Sequence, residues 1–107
     1  MNIEELRLYA LSLPGVAESF PFGDDVIVFK IKNKIFLLLP LTSENLQFNV
    51  KCDPEKAIEL REKYDCITPG YHMNKIHWNT IIVDGTLSGK QLKEFIEDSY
   101  NLVNKRK

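Results

Sequence analysis

The chain has 107 residues, 14 basic and 15 acidic side chains and a formal net charge of −1, a length at which one domain buries its own core without disulfide or metal support. The near-neutral balance and a pI of about 6.1 argue against a strong non-specific nucleic-acid binder, whose surface carries a basic excess. The longest apolar run, Ile35–Leu39, is strand length and far from the roughly 18 residues a membrane helix needs. The acidic start MNIEELRL lacks the positive charge of an export signal, so the expectation is a cytoplasmic protein with no membrane partner.

Asn2 followed by Glu5 has capping-box spacing, and Ile3, Leu6, Ala10 and Leu13 recur at helical intervals. Pro14-Gly15 ends this first helix, and Phe20 to Gly23 reads as loop. Val26–Ile31 is rich in β-branched residues, with Ile27, Phe29 and Ile31 on one face and Val26, Val28 and Lys30 on the other. Lys32-Asn33 suits a two-residue turn, after which Lys34–Leu39 returns as a second strand. Beyond a loop from Pro40 to Asn45, Leu46, Phe48 and Val50 alternate with Gln47, Asn49 and Lys51, the pattern of a third strand with one wet face.

Asp53-Pro54 starts a helix, an acid at the N-cap and proline in the first turn, with Ala57, Leu60 and Tyr64 as its inward stripe. Ile67–Thr80 reads as extended, with a turn at Pro69-Gly70. Trp78–Asp84 is a strand that sends His77, Asn79, Ile81 and Val83 one way and Trp78, Thr80, Ile82 and Asp84 the other. Ser88 and Gln91 form a second capping box, with Leu87 and Leu92 as its hydrophobic staple, and Leu92, Phe95, Ile96, Ser99 and Val103 line a last helix. The order is α-β-β-β-α-β-β-α. Short connections and alternating strands predict an α+β fold, an antiparallel sheet of about five strands with helices packed on one face, in a single domain spanning residues 1–107.

The segment Ile67–Thr80 concentrates the chemistry. It holds both histidines, the only tryptophan, Tyr71, Lys75, Asn74, Asn79 and Thr80, and no carboxylate occurs from Cys66 to Val83. Residues 26–43 carry three lysines and no acid. If these two windows meet in space they form a locally positive face. His72 and His77 are five apart, the wrong spacing for two ligands on one helix or strand face, and no acid or cysteine lies between them, so no metal is expected. Cys52 and Cys66 form no CxxC pair and read as two small buried hydrophobes. Nucleotide-binding glycine motifs and a G-x-S-x-G elbow are absent, so neither a common nucleotide enzyme nor a serine hydrolase is indicated, and no cofactor is implied.

What remains is a polar binding surface. Lys30, Lys34, Lys51, Lys75, His72 and His77 have the chemistry for phosphate contacts, Asn74 adds a donor, and Tyr71 or Trp78 the ring to stack on a base. The plainer alternative is structural. A strand tryptophan is commonly core, Tyr71 and His72 commonly latch to neighbouring backbone, and strand lysines commonly protect sheet edges.

LPGV at Leu13–Val16, SFPFG at Ser19–Gly23, VFKI…K at Val28–Lys34, KCDPE at Lys51–Glu55, TPGYHMNK at Thr68–Lys75, HWNT at His77–Thr80, and Asp84-Gly85 ahead of a helix with Ser99-Tyr100 together resemble the MmcQ/YjbR family of small bacterial proteins. One departure is Lys32-Asn33, where the resemblance implies glycine. The resemblance covers nearly the whole chain and implies a small α+β fold similar to CyaY and to secretion chaperones. It implies weak DNA binding and no catalytic residues. Tyr71, His72, Asn74, Lys75, His77 and Trp78 match the motif, with Lys51 and the Phe22-Gly23 loop beside them. The first expectation is therefore a binding module with weak nucleic-acid contact through Lys30, Lys34, Lys51 and Lys75. The second is a small-molecule or protein-partner module with a chaperone-like sheet face, and the third an enzyme using Cys66 or His72. A monomer is the simplest assembly.

Overall fold

Local signals set the helix starts. Asn2 and Glu5 make the reciprocal bonds of a capping box, Glu5 N–H donating to Asn2 Oδ1 at 2.8 Å and Asn2 N–H to Glu5 Oε1 at 2.9 Å. Ser88 and Gln91 repeat the arrangement at 3.0 and 3.1 Å, with Leu87 and Leu92 both buried beside it. The Asp53 carboxylate accepts the Lys56 N–H, and Pro54 follows it at the first helical position.

The computed structural model describes residues 1–70 and 74–104. In chain order these form α1 (Ile3–Ser12), β1 (Ala17–Ser19), β2 (Val26–Ile31), β3 (Lys34–Pro40), β4 (Gln47–Lys51), α2 (Pro54–Lys63), β5 (Ile67–Pro69), β6 (Trp78–Ile82) and α3 (Gly89–Asn104). The strands make one antiparallel sheet in the order β1-β2-β3-β4-β6-β5. The α+β reading and the element order hold. The sheet has six strands rather than about five. The additional one is β1, three residues that show no period of their own and become a strand by pairing along β2.

Register decides which side is covered. Phe29 pairs with Leu37, Leu37 with Val50, Val50 with Asn79 and Ile81 with Ile67, so these residues share one face. On that face Ile27, Phe29, Leu37, Leu39, Phe48, Val50, Ile67 and Ile81 meet Leu6 and Ala10 of α1 and Leu92, Ile96 and Val103 of α3 in one core. Helix α2 covers the β5–β6 side, where Ala57 is fully buried.

The centre of the sheet carries an irregularity. Phe29 pairs with Leu37 but Lys30 pairs with Ile35, which leaves Phe36 as the extra residue of a β-bulge. Phe36 and Leu37 are consecutive, yet both are buried in the core, and Phe36 meets Tyr100 edge-on at 5.4 Å. Beyond the bulge β3 and β4 share only two pairs, Leu37–Val50 and Leu38–Asn49. The Ser99 hydroxyl of α3 completes the ladder, donating to Phe36 O at 2.6 Å and accepting the Lys51 N–H at 2.9 Å. Tyr100 Oη donates to Pro14 O and ties the end of α1 to α3.

Two turns explain their residues. Lys32 and Asn33 both have left-handed backbone, φ 54° and 65°, which gives the β2–β3 hairpin a type I′ turn without glycine. Lys32 carries strain of about 1 kcal/mol there, and its Nζ reaches the Asn104 carbonyl at 3.2 Å. Gly70 N–H donates to Trp78 O at 2.9 Å, and a Cβ at Gly70 would stand 3.0 Å from Trp78 Cβ, so any larger residue would require Trp78 to give way.

Candidate functional site

The polar segment enters the sheet through a turn built by its own residues. Asn74 Oδ1 accepts the Ile76 N–H at 2.8 Å, and the Asn74 carbonyl accepts from His77 and Trp78 at 3.1 and 2.9 Å. The His77 carbonyl accepts the Cys52 N–H at 2.7 Å and fastens the turn to the end of β4. Asn74, Lys75 and Ile76 are exposed and His77 is half-buried. Trp78, Asn79 and Thr80 are all buried, and Thr80 Oγ1 donates to Asn49 Oδ1 across the β4–β6 pair. Much of the donor-rich run therefore serves the fold. Tyr71 and His72 lie outside the described residues.

The two acid-free windows do not pair directly, because β4 runs between β3 and β6. They approach at the strand ends instead. Lys34 opens β3, Lys51 closes β4 and His77 precedes β6, and all three line one depression of about 540 Å³ with Cys52, Asp53, Pro54 and the last turn of α3. Asp53, the α2 cap, is the carboxylate in that lining. Lys75 lies elsewhere, in a hollow of about 470 Å³ with Gln47, Thr68, Thr80 and Ile82 on the face away from the helices. Lys30 shares that outer face by strand alternation, two strands away on β2. Val28, Leu38 and Trp78 of the same face are buried, so these three offer a peptide no bare apolar platform.

The cysteines are free thiols with different surroundings. Cys66 is 3% exposed in the core, and burial pushes its thiol above the ordinary value. That removes it as a nucleophile, which must be thiolate and accessible. Cys52 was expected to be buried and is only half-buried, because β4 ends at Lys51 and the chain turns there into α2. Burial nevertheless raises its thiol too. Among the described residues no group of three or more His, Cys, Asp or Glu side chains could hold a metal ion.

A third hollow was not anticipated. It lies between α2, α3 and the sheet, measures about 180 Å³, and has Leu60, Ile81, Phe95 and Leu102 among its apolar walls. Asn79 is part of the lining and is 1% exposed. Its Nδ2 donates to Ala57 O at 3.4 Å, while Oδ1 finds no partner among the described residues. The signal was available: strand alternation turned Asn79 to the same side as Ile81, and an amide on an inward face requires partners.

Residues 11–102 match the family described as YjbR. The uncharacterised protein YbdF of Escherichia coli O157:H7 is 41% identical over 100 residues, covering 94% of this chain and 82% of that one. The uncharacterised protein YjbR of Escherichia coli strain K12 is 29% identical over 100 residues, covering 94% and 85%. The crystal structure of Deinococcus radiodurans protein DR2400, of domain type DUF419, superposes with a TM-score of 0.92 at 39% identity, covering 98% of this chain and 80% of that one.

Proposed function

The chain belongs to the YjbR family, and from that premise we propose that it is a cytoplasmic, non-enzymatic binding protein that makes weak contact with nucleic-acid phosphates at the strand ends where Lys34, Lys51 and His77 meet. One observation supports this reading above others. Three side chains able to donate to an anion, from three separate strand ends, line a single depression with one carboxylate, although the chain as a whole is slightly acidic. Phosphate contacts of this kind position a duplex or single strand without reading its bases. Few cations take part, so affinity is low and its dependence on salt is shallow. Lys30 and Lys75, on the outer face, stand apart from this group.

A titration of labelled duplex and single-stranded DNA at two salt concentrations tests the reading. Log affinity should fall with log salt by roughly 0.9 per phosphate engaged on duplex. Lys34→Ala and Lys51→Ala should each lower that slope by about 1, and Lys75→Ala should leave it unchanged. Absence of binding at low salt overturns the proposal.

A further inference from the structure

Four neighbouring strands carry a basic side chain at the same end of the sheet. Lys32 follows β2, Lys34 opens β3, Lys51 closes β4 and His77 precedes β6, and these strands lie side by side in that order. Antiparallel pairing is what brings the four positions to one end. Strands stand about 4.8 Å apart, so the row is about 14 Å long. Lys34, Lys51 and His77 line the depression described above. Lys32 stands at its rim, since its Nζ donates to the Asn104 carbonyl and the adjacent Val103 belongs to the lining.

The backbone of Lys32 sets it apart. Its φ of 54° is left-handed, a conformation that strains a lysine and that turns of this type usually give to Asn, Asp or Gly. The bond its side chain makes offsets little of that strain. The lysine is exposed, it meets one neutral carbonyl, and water competes for both partners. An ammonium has three N–H donors, so two remain free beside Lys34. Strain kept under an exposed cation is a mark of function. Neither residues 26–43 nor Ser99–Asn104 of α3 contain an acid, which leaves Asp53, the α2 cap, as the carboxylate in the lining.

Resting on the reading of this depression as a phosphate site, we propose that Lys32 is its outermost contact and that the ligand is a run of consecutive phosphates along a nucleic-acid strand, not a single phosphate group. Phosphates of one strand recur about every 3.4 Å along a duplex axis, so a row of about 14 Å faces about four of them.

The test follows binding of a labelled DNA duplex over a range of salt by the parent, Lys34→Ala, Lys32→Asn and Lys32→Arg, with the melting temperature of each. Asparagine accepts left-handed backbone, so Lys32→Asn should melt no lower than the parent, yet it should lower the salt slope by about 1. Lys32→Arg keeps the charge and should keep the slope. Inorganic phosphate at matched ionic strength should leave the duplex bound. A slope that Lys34→Ala lowers and Lys32→Asn leaves unchanged overturns the proposal while sparing the phosphate reading of the depression. If Lys32→Asn then also melts lower, the lysine serves the end of α3. Displacement of the duplex by inorganic phosphate overturns the run of phosphates. Absence of binding by the parent at low salt overturns both readings.

Discussion

Ser99 and Asn79 are the same kind of anomaly at two junctions of one fold. Each is a polar side chain between a helix and the sheet, and each is sealed from water, at 0% and 1% exposure. At the α3 junction the Ser99 hydroxyl donates to Phe36 O and accepts from Lys51 N, and the hole that the bulge opens between β3 and β4 is closed. At the α2 junction the Asn79 amide donates to Ala57 O, and its oxygen finds no partner among the described residues. The difference teaches that burial of a polar group does not tell its purpose. A hydroxyl whose bonds are all made strengthens its junction, and an amide left half-matched costs its junction stability.

The comparison breaks first at Ser99. Ser99→Ala strands a buried carbonyl and the N–H of Lys51, and should destabilise the protein by about 2–4 kcal/mol in urea unfolding. A cost under about 1 kcal/mol would mean that water replaces the hydroxyl and that the junction is not sealed. Asn79→Leu should behave differently. It removes the orphaned oxygen along with one long hydrogen bond, and the Ala57 carbonyl keeps the Arg61 Nε bond at 3.2 Å, so stability should stay within about 1 kcal/mol of the parent. The smallest effect is expected where water competes. Arg7 Nε and Nη2 donate to both oxygens of Glu18 at 2.8 and 2.6 Å, and this holds the Glu18 carboxyl below its ordinary pKa. A lowered native pKa stabilises above the unfolded value and ceases to do so as pH falls through the native one. Glu18→Gln should therefore lower Tm slightly at pH 7 and leave it equal to the parent in strong acid.

The sequence patterns carried most of the fold because most of it obeys a period. Both capping boxes, the alternating faces of β2, β4 and β6 and the stripe of α3 stand where their spacing puts them. β1 escaped because Ala17, Glu18 and Ser19 include no β-branched or aromatic residue and are too few to alternate. The bulge escaped because Ile35–Leu39 is apolar throughout, and a run with no polar phase cannot reveal that Phe36 and Leu37 both turn inward. The candidate site was legible in part. Lys34, Lys51 and His77 come together through strand order, which no local pattern encodes. The alternation of β6 puts Asn79 on the inward face, but no local pattern tells which of its polar atoms goes unmatched there.

The ladder repair by Ser99 bears on how the chain is made. The hydroxyl joins positions 63 and 48 residues earlier in sequence, so a growing polypeptide emerges with β3 and β4 already out and their far ends still unbound. A fragment that stops before Ser99 keeps the Leu37–Val50 and Leu38–Asn49 pairs but lacks the atom that bridges Phe36 and Lys51. The middle of the sheet is thus completed by a contact between residues far apart in sequence, the kind of contact that slows folding because the intervening chain must be ordered first.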